Sequence, residues 1–211
     1  RFMTDLFNIE NWKAIVTGGT RGLGYGMAEG LLESGAEVVI FGTSDKVEQV
    51  AADFCGKGYR CHGLKVNLAN AEERETGFHQ AVELLGGLDI IVNAAGIQRR
   101  HPCQDFPKTD WDEVIEVNLT APFVLSQLAA KEFLKKERPY GKIINIASML
   151  TFFGGQTVPA YAAAKGGVGQ FSKGMCNELA GQGININCIA PGYMDTEMNT
   201  ALTDPSNPRF Q

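Results

Sequence analysis

The sequence predicts an α/β fold with a doubly wound parallel sheet, and three observations predict it. Short apolar runs alternate with longer segments of helical periodicity along the chain, a pattern that implies parallel strands with helices on both faces. Gly18, Gly19, Gly22 and Gly24 gather between the first apolar run and the first helical segment. Several polar or glycine-containing stretches follow directly on apolar runs, where an open parallel sheet binds its ligands. Right-handed crossovers then give the strand order 3-2-1-4-5-6.

Lys13-Ala14-Ile15-Val16 reads as a short buried strand over 13–17, and Met27, Ala28, Leu31 and Leu32 recur at helical spacing over 22–34, up to Gly35. Val38-Val39-Ile40-Phe41 forms a second strand over 37–41, followed by a helix over 45–56 and a third strand over 60–66. A helix over 71–85 leads to the fourth strand, 89–93, around Ile90-Ile91-Val92. One long helix is expected over 110–136, with Asn118 set within the apolar face of Val114, Ile115, Val117 and Leu119. The fifth strand, 142–147, ends at Ser148; a helix over 160–181 and a sixth strand over 185–190 follow, the last running into Pro191-Gly192. No Pro/Ser-rich linker, low-complexity tract or internal repeat breaks residues 1–211, so the chain is expected to be a single domain.

The glycines sit at a strand-to-helix turn. Without Cβ atoms the backbone can approach a pyrophosphate, and the helix N-terminus offers free N–H groups and a positive dipole end. That reading points to a dinucleotide, although a plain structural turn would use the same residues. Tyr161 and Lys165, four apart on a helix, share one face about 6 Å apart along its axis. An ammonium there is expected to lower the tyrosine pKa, making a group that can exchange a proton with a hydroxyl or carbonyl oxygen near neutral pH. Alone the pair could equally be an amphipathic edge, and Ser148 a serine closing a strand.

Taken together, Thr17-Gly-x-x-x-Gly22-x-Gly24, Asn93-Ala-Ala-Gly96, Asn118, Ser148, Tyr161-x-x-x-Lys165 and Pro191-Gly192 resemble the short-chain dehydrogenase/reductase family over essentially the whole chain. The resemblance implies a Rossmann fold, an NAD(P) cofactor and hydride transfer between a secondary alcohol and a ketone. It implies catalytic roles for four residues. Tyr161 would be the general acid/base. Lys165 would lower its pKa and hold the nicotinamide ribose. Ser148 would hold the substrate oxygen where alkoxide character develops. Asn118 would hold a water linking Lys165 to solvent, or else serve inside the helix as a cap. For the cofactor it implies Gly18, Thr20, Arg21, Gly22, Leu23 and Gly24 in the first turn, and Thr43 and Ser44 after the second strand. Asn67 and Leu68 follow the third strand, Asn93, Ala94 and Gly96 the fourth, and Pro191, Gly192 and Thr196 the sixth. Thr196 matches the threonine that holds the nicotinamide carboxamide.

The second strand runs into Gly42-Thr43-Ser44 with no acid before Asp45. An acid there would repel a 2′-phosphate, so its absence permits NADP. Arg21 lies where a cation can meet that phosphate, or else in solvent. The balance favours NADP slightly over NAD. Asn67 stands where the family usually has Asp, and its carbonyl can still accept a hydrogen bond from the adenine amino group. Gln98-Arg99-Arg100-His101 follows the Asn93 motif, and an arginine beside the catalytic rim could clamp a carboxylate. Alternatively it is a solvated basic loop. This stretch, with Trp111–Asn118, Gly141–Leu150 and Phe153-Gly-Gly, resembles the family's sugar-acid branch of gluconate and 2-dehydro-3-deoxy-D-gluconate 5-dehydrogenases. Arg100 is the expected substrate clamp beside Ser148 and Tyr161, with Arg99 solvated or touching a neighbouring element.

A net charge of −5 argues against a nucleic-acid partner. No apolar run approaches the ~20 residues of a membrane span, and no signal-peptide core opens the chain. Five cysteines in no metal-binding pattern fit reduced thiols, no metal and a cytoplasmic setting. The resemblance further implies a homo-tetramer or dimer. Family members usually continue through further helices and a seventh strand that commonly builds the oligomer interface. Here the sequence stops after Pro205-Ser-Asn-Pro208, so that strand is expected to be cut away or disordered and the sheet to show an unprotected edge. Two other readings compete. A 3-oxoacyl-thioester reductase would want a basic surface for an acidic carrier, which the charge does not favour. A non-catalytic dinucleotide sensor would not need the complete Asn118, Ser148, Tyr161 and Lys165 set.

Overall fold

The computed structural model describes residues 7–192 and 194. Among them six parallel strands form one sheet in the order β3-β2-β1-β4-β5-β6, as right-handed crossovers require. The strands are β1 (Lys13–Thr17), β2 (Glu37–Gly42), β3 (Cys61–Lys65), β4 (Ile90–Asn93), β5 (Gly141–Ile146) and β6 (Ile184–Ile189). β1 is central, and its alternating side chains feed two cores. Ile15 packs with Phe78, Leu125, Phe133 and Ile143 on one face, while Ala14 and Val16 pack with Ala28, Leu32, Val47 and Phe54 on the other.

α1 (Gly22–Glu33) and α2 (Lys46–Gly56) cover the second face; α3 (Ala71–Leu85), α5 (Ala121–Leu134) and the end of α6 (Pro159–Leu179) cover the first. α3 is bounded as sequence chemistry dictates. The Asn70 side chain accepts from the Glu72 and Glu73 N–H groups at its start, and Gly86, with φ 66, turns the chain left-handed at its end.

The expected single helix over 110–136 runs without a gap over 108–134 but is not α-helical throughout. α4 (Lys108–Ile115) passes into a π-helical turn, Glu116–Thr120, before α5 begins. Pro122 supplies the reason: it has no N–H to give the carbonyl four residues back, and its ring would clash there. That carbonyl belongs to Asn118, so the helix widens at this candidate catalytic residue. The sheet edge at β6 leaves Ile189 46% exposed, and whatever follows Met194 lies outside the described residues. Among the described residues, no helix is long and apolar enough to cross a membrane.

Candidate active site

A cleft of about 910 Å³ opens at the carboxyl ends of the strands and is lined by segments following all six of them. Gly18, at φ +68, and Gly24 make its floor. A Cβ on Gly18 would lie 2.8 Å from Ala95 Cα, and one on Gly24 only 2.2 Å from the Gly18 carbonyl oxygen. The turn therefore closes only with glycine at both positions, which brings α1 and β4 tightly together. Thr17, missed as a site residue though it opens the motif, ties the two strand ends: its Oγ1 accepts from the N–H groups of Ala94 (3.0 Å) and Ala95 (3.1 Å). Thr20, Arg21, Gly22 and Leu23 line the same wall. No acidic side chain stands in the first turn of α1, and Arg21 makes no side-chain cap.

Thr43, Asn67 and Leu68 line the next stretch of wall. Asn67 Oδ1 already accepts from Ala69 N–H at 3.1 Å, and its own N–H donates to Glu73. Ser44 does not reach the cleft: it turns into α2, its carbonyl accepting from Val47 N–H. Asp45, the first acid after β2, is drawn to Lys65 at 2.7 Å and is likewise no part of the lining.

Ser148, Tyr161 and Lys165 meet on the opposite side. A capping box fixes the serine: Leu150 N–H donates to Ser148 Oγ at 3.1 Å, and Ser148 N–H donates to Thr151 Oγ1 at 3.2 Å. Thr151 Oγ1 in turn donates to the Lys165 carbonyl at 3.0 Å, joining this turn to α6. Thr151 was not expected as a site residue; the Ser-x-x-Thr spacing carried its signal. Ser148 also hydrogen-bonds the Tyr161 phenol.

The electrostatics depart from the sequence expectation. Burial raises the Tyr161 pKa, opposed by the Ser148 hydrogen bond and by the charge of Arg100, not of Lys165. Lys165 is 4% exposed; its Nζ donates to the Ile146 carbonyl at 2.5 Å and lies 5.6 Å from the centre of the Tyr161 ring. Burial brings its own pKa down to about 8. Burial thus weakens the lysine's hold on its proton, and the charge that acts on the Tyr161 phenol in this arrangement is that of Arg100.

Two further expected residues stand behind the wall. Asn93 is buried, and its Nδ2 donates to Asn145 Oδ1 (2.8 Å) and Ser126 Oγ (3.1 Å), while Asn145 Nδ2 donates to Ser172 Oγ at 2.8 Å. This polar ladder bolts β4 and β5 to α5 and α6, so the Asn93 side chain points into the core rather than the cleft. Asn118 is also fully buried. Its Oδ1 accepts from Ile97 N–H and its Nδ2 donates to the Ile97 carbonyl, both at 2.8 Å. The Asn118 side chain thus holds the loop after Gly96. That loop brings Gln98 and Arg100 to the cleft, whereas Arg99 reaches Glu113 on α4 at 2.7 Å.

The description "short chain dehydrogenase" belongs to a family profile that matches residues 13–207. The chain belongs to this family. It is 38% identical over 203 residues to a 5-keto-D-gluconate 5-reductase of Escherichia coli (strain K12), spanning 96% of this chain and 79% of that protein. It is 43% identical over 199 residues to a 2-dehydro-3-deoxy-D-gluconate 5-dehydrogenase of the same strain, covering 93% and 77%. A solved gluconate 5-dehydrogenase from Burkholderia cenocepacia J2315, in complex with NADP and tartrate, superposes with a TM-score of 0.90 at 36% identity, over 97% of this chain and 80% of that one.

A dinucleotide of the kind this short-chain dehydrogenase family uses fits the cleft on the chain's own features. The glycine floor would be blocked by a single Cβ, α1 presents an N-terminus with no acid beside it, and no carboxylate lines the cleft at the end of β2. Ala94, Gly96, Pro191 and Gly192 complete the lining. Thr196 lies outside the described residues. Among the described residues no cluster of His, Cys, Asp and Glu could hold a metal ion.

Proposed function

We propose that this short-chain dehydrogenase interconverts a secondary alcohol and a ketone on a sugar acid of the gluconate or deoxy-ketogluconate type, with NADP preferred over NAD. One observation carries the substrate class: Arg100 lines the cleft close enough to Tyr161 for its charge to act on the phenol. A guanidinium there can hold a carboxylate while the reacting carbon lies beside the tyrosine. The sugar-acid names of similar proteins, and the tartrate bound by one of them, support the same class.

The chemistry a nicotinamide cofactor would supply in this cleft is the gift or uptake of a hydride. In the reductive direction Tyr161 Oη donates a proton to the carbonyl oxygen as that oxygen becomes a hydroxyl; in oxidation the phenolate takes the proton back. Leu150 N–H fills one acceptor position of Ser148 Oγ, and the Ser148 hydroxyl, beside the Tyr161 phenol, would turn its proton to the substrate oxygen to stabilise charge there. Lys165 would move from the Ile146 carbonyl to the ribose hydroxyls, and with its charge kept by those contacts would favour the phenolate. Arg21 would meet the 2′-phosphate. Asn118 would fix the Ile97 loop that carries Arg100. We propose further that the protein is a single-domain, cytoplasmic enzyme working as a dimer or tetramer. The exposed Phe123, stacked edge-on with Phe171 at 5.6 Å, suits a subunit contact.

The test is a panel of C6 keto and hydroxy acids with their neutral amides or lactones, assayed with NADPH and NADH. Arg100→Lys keeps the charge but loses the fork. It should raise KM for the acid several-fold and leave a neutral ketone unaffected. Indifference to the carboxylate in both wild type and variant would leave only a family-level oxidoreductase, and turnover of 3-oxoacyl thioesters in preference to keto acids would favour the acyl reductase reading.

A further inference from the structure

The three basic residues in a row after Gln98 do not share one task. In an extended segment successive side chains point to opposite sides. Arg99 turns to α4 and pairs with Glu113 at 2.7 Å, Arg100 turns to the cleft, and His101 turns to α4 again, its Nε2 2.6 Å from Asp110 Oδ2. Asp110 and Glu113 are three residues apart, so they stand on one face of that helix. The His101 ring is also met edge-on by Phe106 at 5.2 Å, and the His101 N–H donates to the Thr157 carbonyl at 3.0 Å. Thr157 holds a left-handed φ of 64, a conformation rare for a β-branched residue. Both chain neighbours of the cleft arginine are thus tied to a single helix, and the backbone beyond it is tied to the far rim.

We propose that Asp110 and Glu113 are positioning residues that aim Arg100 into the cleft by holding its two neighbours to α4, and so set the preference for an acidic substrate. The inference rests on the reading of Arg100 as the carboxylate clamp. A slack loop would still carry the arginine but would let its guanidinium spread over orientations in which the two-pronged contact with a carboxylate is lost. The side chains in these pairs are 27–43% exposed, so each tie is of the weak surface kind. Together they are expected to change KM by about fivefold, equivalent to about 1 kcal/mol, rather than to abolish binding.

The experiment uses Asp110→Ala, Glu113→Ala and their double variant in the intact enzyme, each in the wild-type and Arg100→Ala backgrounds, with a C6 keto acid and a neutral ketone as substrates. The double variant should raise KM for the acid about fivefold while kcat and the KM of the neutral ketone stay put, and it should add nothing once Arg100 is alanine. An unchanged acid KM, or the same rise in the Arg100→Ala background, would overturn the proposal. If Arg100→Ala itself leaves the KM of the acid unchanged, or raises the KM of acid and neutral ketone alike, the clamp reading has failed instead. The aim of the arginine is then read from the pH profile for oxidation of a neutral alcohol. Arg100 helps lower the Tyr161 pKa, so letting it swing away shifts the rising limb to higher pH. A double variant with an unshifted limb, where Arg100→Ala shifts it, overturns the positioning role independently.

Discussion

Replacing Asn118 by alanine removes two hydrogen bonds at once, both 2.8 Å long and both to the backbone of Ile97. Asn118 is fully buried while Ile97 is only partly so. The cost is therefore that of two orphaned backbone groups, each about 1–3 kcal/mol, reduced where cleft water can reach them. A loss of about 2–3 kcal/mol follows, which at a urea dependence near 2–3 kcal/mol/M lowers the unfolding midpoint by about 1 M. The released loop carries Arg100, so KM for an acidic substrate should rise together with the loss of stability. Asn118→Asp should be at least as damaging, because it keeps the acceptor, loses the donor and buries a charge. Urea unfolding followed by fluorescence, with substrate kinetics on the same preparations, reads both effects. A variant that unfolds at the wild-type midpoint yet has lost turnover would refute this account and return Asn118 to a role in proton transfer alone.

Tyr161→Phe should abolish turnover while NADPH binding, followed by fluorescence titration, stays nearly unchanged; retention of more than a small fraction of activity would remove the acid/base assignment. Lys165 is depressed to about 8 from 10.5. Between those values the unfolded chain holds a proton that the folded one has released, so stability rises with pH. The burial cost is fully present below about pH 8 and is relieved progressively toward 10.5, by up to about 3 kcal/mol at 1.36 kcal/mol per unit. Denaturation curves of wild type and Lys165→Met from pH 7 to 10 should therefore differ in slope, and parallel curves would contradict the depressed pKa. Arg21→Ala should weaken NADPH binding by about 1.5–3 kcal/mol and barely touch NADH; equal losses would assign the arginine to the turn.

Much of the architecture could be read from the chain alone, because local periodicity and right-handed crossovers leave few alternatives. The apolar run Ala14-Ile15-Val16 announced a short buried strand, which the fold buries on both faces, and the strand order followed from handedness. The glycine turn was legible because only a missing Cβ explains its spacing, and Ser148, Tyr161 and Lys165 because they recur as a set. The π-helical turn at Glu116–Thr120 was written in Pro122 but was hidden by an apolar pattern that ran straight across it. What the sequence could not reveal was where each polar side chain spends its hydrogen bonds. Asn93 and Asn118 sit in motifs that face the cleft, yet partners far along the chain turn one to Asn145 and the other to Ile97. The same holds for charge. Four residues of helical spacing set Lys165 beside Tyr161, but burial and the Ile146 carbonyl decide how much charge the lysine carries, and the fold brings Arg100 to the phenol instead. Spacing along a chain fixes which residues are neighbours on one element; desolvation and pairing depend on what other elements bring, and only the tertiary structure decides that.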